Sequence, residues 1–226
     1  MFTIVYYLPV WFQGIQGVSA LTSAVHYLPW IFVHLTGSIM AGALTNQLGY
    51  YMPFVVLSCI LTPVGSGLLT TLTPHTSKGQ WVGYQLICGL GYGAGFYQAN
   101  LAAITVLPKK DAPTGGAIAF SSLSLGGAIF LNVAQGQFSR RLLHSLAKLH
   151  IPDFDYRVVL RSGALQLRTV VPEAYRPQVL EAYNDAIVKN FQIALIVACL
   201  ATLGAVGMEW VSVKKVEATD EVAAAS

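Results

Sequence analysis

Apolar residues run along this chain in long blocks, without the alternation of half-buried strands. Residues 1–77 contain no Asp, Glu, Lys or Arg, and neither do 112–139 or 190–208. A helix needs roughly 20 apolar residues to cross the hydrocarbon core of a bilayer, so each uncharged stretch has room for one crossing or more. In lipid the backbone must satisfy its own hydrogen bonds, which leaves helices or a closed barrel. A barrel is built from segments of roughly 10 alternating residues, and the blocks here are uniformly apolar and longer. The pattern predicts an all-α fold, a polytopic transmembrane helix bundle. Its expected spans are 21–44, 52–72 (interrupted at Pro63), 81–106, 114–138 and 189–209, with 1–13 as a partial span that reads like the second half of a crossing helix. Between them lie a Gly/Ser turn at 13–20, tight loops at 45–51, 73–80 and 107–113, and a polar tail at 210–226. Residues 139–188 form a long polar loop, with Val179, Leu180, Tyr183 and Ile187 at helical spacing predicting a helix near 173–188 that leads into the last span.

Composition agrees with this pattern. The chain is 54% hydrophobic and 10% charged, against roughly 25% charged for soluble domains. A net charge of +3 gives no reason to expect nucleic acid. Cys59, Cys88 and Cys199 each fall in an apolar stretch without a CxxC spacing, so neither a disulfide framework nor a metal site is expected. The first residues lack the basic opening and small-residue cleavage site of a signal peptide. Charge gives a conflicting orientation. With the tail cytoplasmic, four basic residues lie inside and nine outside, the reverse of the positive-inside rule.

The strongest local motif is Gly89-Leu-Gly91-Tyr-Gly93-Ala-Gly95, two interleaved GxxxG pairs. Such pairs strip side chains from a helix and admit a second helix closely. The motif reads either as simple helix packing or as a sliding surface in a helix that moves. Polar residues inside spans usually face the bundle interior or a water-filled path. His26, His34, Gln85, Gln98, Asn100, Asn132 and Gln135 are therefore the candidates for lining a substrate cavity. At about 100° per residue, His26 and His34 are roughly 80° apart and need not share a face. No Asp or Glu lies within a span, and G-x-S-x-G, HExxH and Walker A sequences are absent. Nothing favours an enzyme or calls for a cofactor.

Several segments, in order, resemble a known family: Tyr6-Tyr7-Leu8-Pro9-Val10-Trp11-Phe12-Gln13, Gly17-Val18-Ser19, Gly49-Tyr50-Tyr51-Met52-Pro53-Phe54, Trp81-Val82-Gly83-Tyr84-Gln85, and Gly126-Gly127-Ala128-Ile129-Phe130. The run Glu181-Ala-Tyr183-Asn184-Asp185-Ala186 looks like the segment before that family's last helix. This order is similar to the C-terminal half of the fungal major facilitator superfamily, in its fourteen-span drug/proton antiporter branch. In the loop pattern of that family, Asn46 and Gln47 stand here for a charged pair, and Tyr50 and Tyr51 for a basic pair. The resemblance implies a partial major facilitator fold. It also implies efflux of small hydrophobic toxins, drugs or secondary metabolites by proton antiport, with the lipid bilayer, such a substrate and protons as partners. It puts the long loop outside and the tail inside, overruling the charge count, in the plasma membrane or else the vacuole. The alternative is a truncated remnant that inserts but transports nothing.

Overall fold

A computed structural model describes residues 1–108, 110–149, 151, 156–208, 210 and 212. The described residues are helical throughout, apart from turns and one isolated bridge between Tyr50 and Ser212. The helices are α1 (Phe2–Trp11), α2 (Ala20–Leu48), α3 (Met52–Leu69), α4 (Lys78–Gly95), α5 (Gln98–Val106), α6 (Ala112–Ala147), α7 (Tyr156–Val170) and α8 (Arg176–Val206). Four are long and apolar enough to cross a bilayer: α2, α3, α6 and the segment containing α8.

Local chemistry sets the boundaries. Ser19 starts α2, its hydroxyl accepting the Thr22 amide hydrogen at 3.2 Å, as N-cap residues do. Gly49 ends α2 in the left-handed region, at φ 78°, where glycine carries no Cβ penalty. Pro53, Pro113 and Pro177 sit in the first turns of α3, α6 and α8, where a missing N–H costs nothing.

The helices depart from the expected segments in several places. The 13–20 turn begins as a π-helix, Phe12–Gln16, closed by Gly17 at φ 69°. Pro63 does not break the third helix, which runs unbroken from Met52 to Leu69. A proline there withholds an N–H from the Cys59 carbonyl, and the Thr202 hydroxyl of α8 lies within bonding distance of it at 3.2 Å, its one hydrogen shared with the Ala198 carbonyl at 3.1 Å. The expected span 81–106 is divided at Phe96 and Tyr97 into α4 and α5. The glycines that let α4 pack so closely also give it little side-chain hydrophobicity, and they favour a break where Gly93 and Gly95 meet the aromatic pair. Helix α6 continues past 138 to Ala147, so Arg140, Arg141 and His144 stand on the helix and not in a loop. Helix also occupies much of the expected loop: α7, two short pieces joined at Gly163, precedes α8, which runs on from the loop into the last span without interruption. The tail lies outside the described residues except for Trp210 and Ser212.

Helix α1 sits at the centre. Ile4, Tyr7, Leu8, Trp11 and Phe12 are all buried and pack against residues of α6 and α8 such as Phe138, Leu142, Tyr183 and Ile187. The long amphipathic pattern foreseen before the last span points inward, with Val179, Tyr183 and Ile187 buried and Leu180 partly so. Outside, α2 exposes Leu21, Leu28, Phe32 and Ile39, a surface suited to acyl chains.

Arg141 of α6 and Asp185 of α8 form an ion pair at 2.7 Å, each nearly half exposed. A pair this wet is worth about 0–1 kcal/mol. Arg141→Ala is therefore expected to change unfolding stability in detergent by no more than about 1 kcal/mol. A larger loss would mean that the pair fixes α6 against α8.

Candidate functional site

The four motif glycines divide between two neighbours. A Cβ on Gly89 would stand 2.8 Å from the Trp30 carbonyl oxygen, and one on Gly93 would collide with the His34 carbonyl, both on α2. A Cβ on Gly91 would stand 2.6 Å from the Thr62 amide nitrogen, and one on Gly95 would collide with Ser58, both on α3. One GxxxG pair admits α2 and the other α3, so α4 is wedged between two backbones. Helix α3 answers with Gly65, whose Cβ would stand 2.6 Å from the Cys88 nitrogen. Ser38 ties the α2 contact, its hydroxyl within bonding distance of both the His34 and Gly93 carbonyls, at 2.9 and 3.1 Å.

The seven polar candidates do not converge on one point. Gln85 is fully buried and donates to the His26 carbonyl at 3.1 Å. The His26 ring lies between Phe12 and Trp81, at 5.3 and 4.9 Å between centroids. His34 stacks on Trp30 at 4.9 Å and meets Phe96 edge-on. Both histidines thus pack toward α4, and the Nδ1 of each has no hydrogen-bond partner. Gln98 is buried beside Thr45, whose hydroxyl reaches its Oε1 at 3.4 Å. The Asn100 Oδ1 is unbonded at the α5–α6 contact, near Gly116. Asn132 and Gln135 alone are exposed, and both are on α6.

Helix α6 carries the more coherent surface. Thr114, Ala117, Ser121, Ser124, Asn132 and Gln135 are all exposed. At about 100° per residue they fall within an arc of about 80°. This is a stripe of small and neutral hydrogen-bonding residues along a helix of bilayer-crossing length. Ser124 and Asn132 bond back to their own helix, to the Phe120 and Ala128 carbonyls at 3.1 and 2.8 Å, which leaves the Asn132 Oδ1 free to accept. The opposite face of α6, through Gly126, Gly127 and Phe130, borders a mainly apolar cavity of about 450 Å³ among α1, α3, α4 and α8. None of the seven candidates lines that cavity. The described residues contain no His/Cys/Asp/Glu group able to hold a metal.

No family model matches the chain. Individual proteins do. It is 43% identical over 213 residues, 94% of its length, to "MFS-type efflux pump MFS1" of Arthroderma benhamiae, MFS being the major facilitator superfamily. It is 43% identical over 220 residues, 97% of its length, to "Efflux pump hmp6" of Hypomyces subiculosus. Over 215 residues, 95% of its length, it is 40% identical to "Efflux pump aflT" of Aspergillus parasiticus. The chain belongs to the major facilitator superfamily. It spans about two-fifths of the length of these curated relatives, at 40%, 39% and 42%.

Two features of this facilitator chain escaped the sequence reading. The first is the α6 stripe: Asn132 and Gln135 were singled out one at a time, while their spacing with Ser121 and Ser124 carried the signal. The second is a set of polar contacts between α1 and α8. Trp11 donates its indole N–H to Asn184 Oδ1 at 2.7 Å, and the Asn184 amide donates to the Leu72 carbonyl at 3.0 Å. Asn190 is fully buried with neither Oδ1 nor Nδ2 bonded. It is the first residue of the uncharged run 190–208, and that position was its one visible mark.

Proposed function

We propose that this facilitator chain is part of an efflux carrier for small hydrophobic compounds, such as toxins, drugs or secondary metabolites, and that the α6 stripe lines their path. The observation that carries the reading is the run of exposed neutral polar side chains from Thr114 to Gln135 on a helix long enough to cross a bilayer. Polar groups facing lipid have no hydrogen-bond partner there, whereas a water-filled path provides one. The stripe offers hydrogen bonds without charge, which suits molecules that are largely apolar with a few neutral polar groups. The relatives' names as efflux pumps support transport over catalysis.

Proton antiport, membership of the fourteen-span branch, an external loop, a cytoplasmic tail and residence in the plasma membrane, with the vacuole as second choice, belong to the same proposal. They rest on the family resemblance.

Cysteine labelling tests the path. In a background lacking Cys59, Cys88 and Cys199, cysteines at Ser121, Ser124 and Asn132 are expected to react with a membrane-impermeant thiol reagent. A cysteine at Ile39, on the apolar face of α2, is expected to stay inert. A silent stripe, as inert as Ile39, would place those residues in lipid and favour the reading of a chain that inserts but moves nothing.

A further inference from the structure

Helix α6 has a third face besides the neutral stripe and the wall of the apolar cavity. Near its C-terminal end Phe138, Leu142 and Leu146 are buried in the core. At about 100° per residue, Arg140 and His144 stand on the opposite side of the helix, and both are exposed. Leu125, Ile129, Val133, Gly136, Arg140 and His144 follow one another at spacings of three or four residues. That spacing sets them in one column, within an arc of about 100°. Leu125, Ile129 and Val133 are 63%, 51% and 50% exposed. At Gly136 nothing stands within 4 Å of where a Cβ would be. A groove of about 660 Å³ opens there, bordered by Val133 and Gly136 at one end and by Arg140, Arg141 and His144 at the other.

The column is thus apolar along most of its length and basic at its end. Leu125 to Gly136 spans about 17 Å at 1.5 Å per residue, close to the roughly 15 Å of hydrocarbon in one leaflet. Arg140 is the first charged residue after the uncharged run 112–139, so it stands at the depth where a bilayer places its phosphates. Arg141 is already paired with Asp185 at 2.7 Å. Among the described residues no carboxylate pairs with Arg140 or His144. A guanidinium meets a phosphate through two parallel N–H donors, and here no protein acid competes for them. We propose that this column binds one anionic phospholipid. Its phosphate accepts hydrogen bonds from Arg140 and from the His144 imidazole. One acyl chain lies along Val133, Ile129 and Leu125, and Gly136 leaves room for the glycerol between. A zwitterionic phospholipid carries its own ammonium, which Arg140 repels, so a net negative headgroup is preferred. The column is centred about 110° around the helix from the stripe, so the lipid stands beside the proposed path and not in it.

Native mass spectrometry of the full chain in dodecyl maltoside tests the site. The probes are phosphatidylglycerol and phosphatidylcholine with identical acyl chains. The wild type is expected to hold one phosphatidylglycerol about tenfold more tightly than phosphatidylcholine, the worth of a hydrogen bond to a charged group. Arg140→Gln is expected to remove that preference and leave phosphatidylcholine binding unchanged. Lys110→Gln, which removes an exposed cation before the other end of α6, is expected to change neither. Gly136→Leu fills open space, so it is expected to keep the unfolding temperature while weakening both lipids several-fold. That variant still reads the groove if Arg140→Gln folds poorly. Equal affinity for the two lipids in the wild type, or Arg140→Gln behaving as Lys110→Gln does, would overturn the site. Glycerol 3-phosphate offers the same phosphate without acyl chains. Displacement of phosphatidylglycerol by an equal concentration of it would show a site for free phosphate and overturn the lipid as occupant.

Discussion

Gly93→Leu is expected to lower the unfolding temperature in detergent by several degrees, up to about 12 °C, one of the large effects in the bundle. The reason lies in what stands opposite. A Cβ at this position would meet the His34 carbonyl, which belongs to the backbone of α2 and cannot rotate away as a side chain would. Forcing atoms into a packed interior costs about 1–3 kcal/mol even where side chains give way. In a chain of this size each kcal/mol corresponds to about 2–4 °C. The control is on the same helix: Gly83 has open space where its Cβ would be. Gly83→Leu is expected to leave the transition unmoved or raise it slightly, since leucine is the better helix former. Melting curves that coincide for the two variants would show that the close approach of α2 and α4 carries no stability.

The second large effect is expected at Asn184. Leucine there removes both partners of a buried three-group chain, leaving the Trp11 indole N–H and the Leu72 carbonyl unpaired. Each unpaired buried group costs about 1–3 kcal/mol. Asn184→Leu should therefore destabilise far more than Arg141→Ala, although Arg141 belongs to a charge pair and Asn184 carries no charge at all. Unfolding followed by tryptophan emission reads both the stability and the loss of the indole bond. If the two variants unfold together, the Trp11–Asn184–Leu72 chain contributes no more than a surface ion pair.

These two cases show what could be read from the sequence and what could not. The glycine motif announced that α4 would be packed closely, because the spacing Gly89/Gly93 and Gly91/Gly95 is itself the geometry. That its two halves face different helices depended on where α2 and α3 lie, which no local pattern encodes. The hydrophobic blocks located the helices at Ala20–Leu48 and Met52–Leu69 within a few residues, since burial in lipid leaves the backbone few options. The same blocks misled at both ends of the long loop, where α6 and α8 extend beyond their apolar segments into charged sequence. A helix that starts in a bilayer does not have to stop where the hydrocarbon does. Trp11 and Asn184 are invisible as a pair because they are 173 residues apart in sequence, joined only by the α1–α8 register. The neutral stripe, by contrast, is written in the spacing of Ser121, Ser124, Asn132 and Gln135.

The double wedge of α4 also has a mechanical meaning. A helix gripped through backbone contacts on two sides cannot slide past one neighbour without shearing against the other. Helices α2, α3 and α4 are thus a stiff block, and α6, which meets α8 through larger side chains such as Phe138 against Tyr183, is the more compliant element. Any rocking that opens a path along the α6 stripe would be expected to bend at the α4–α5 break near Phe96 and Tyr97 and leave the glycine-bound trio unflexed. Distances measured between spin labels within that trio would then stay constant, and those from α6 to the trio would change.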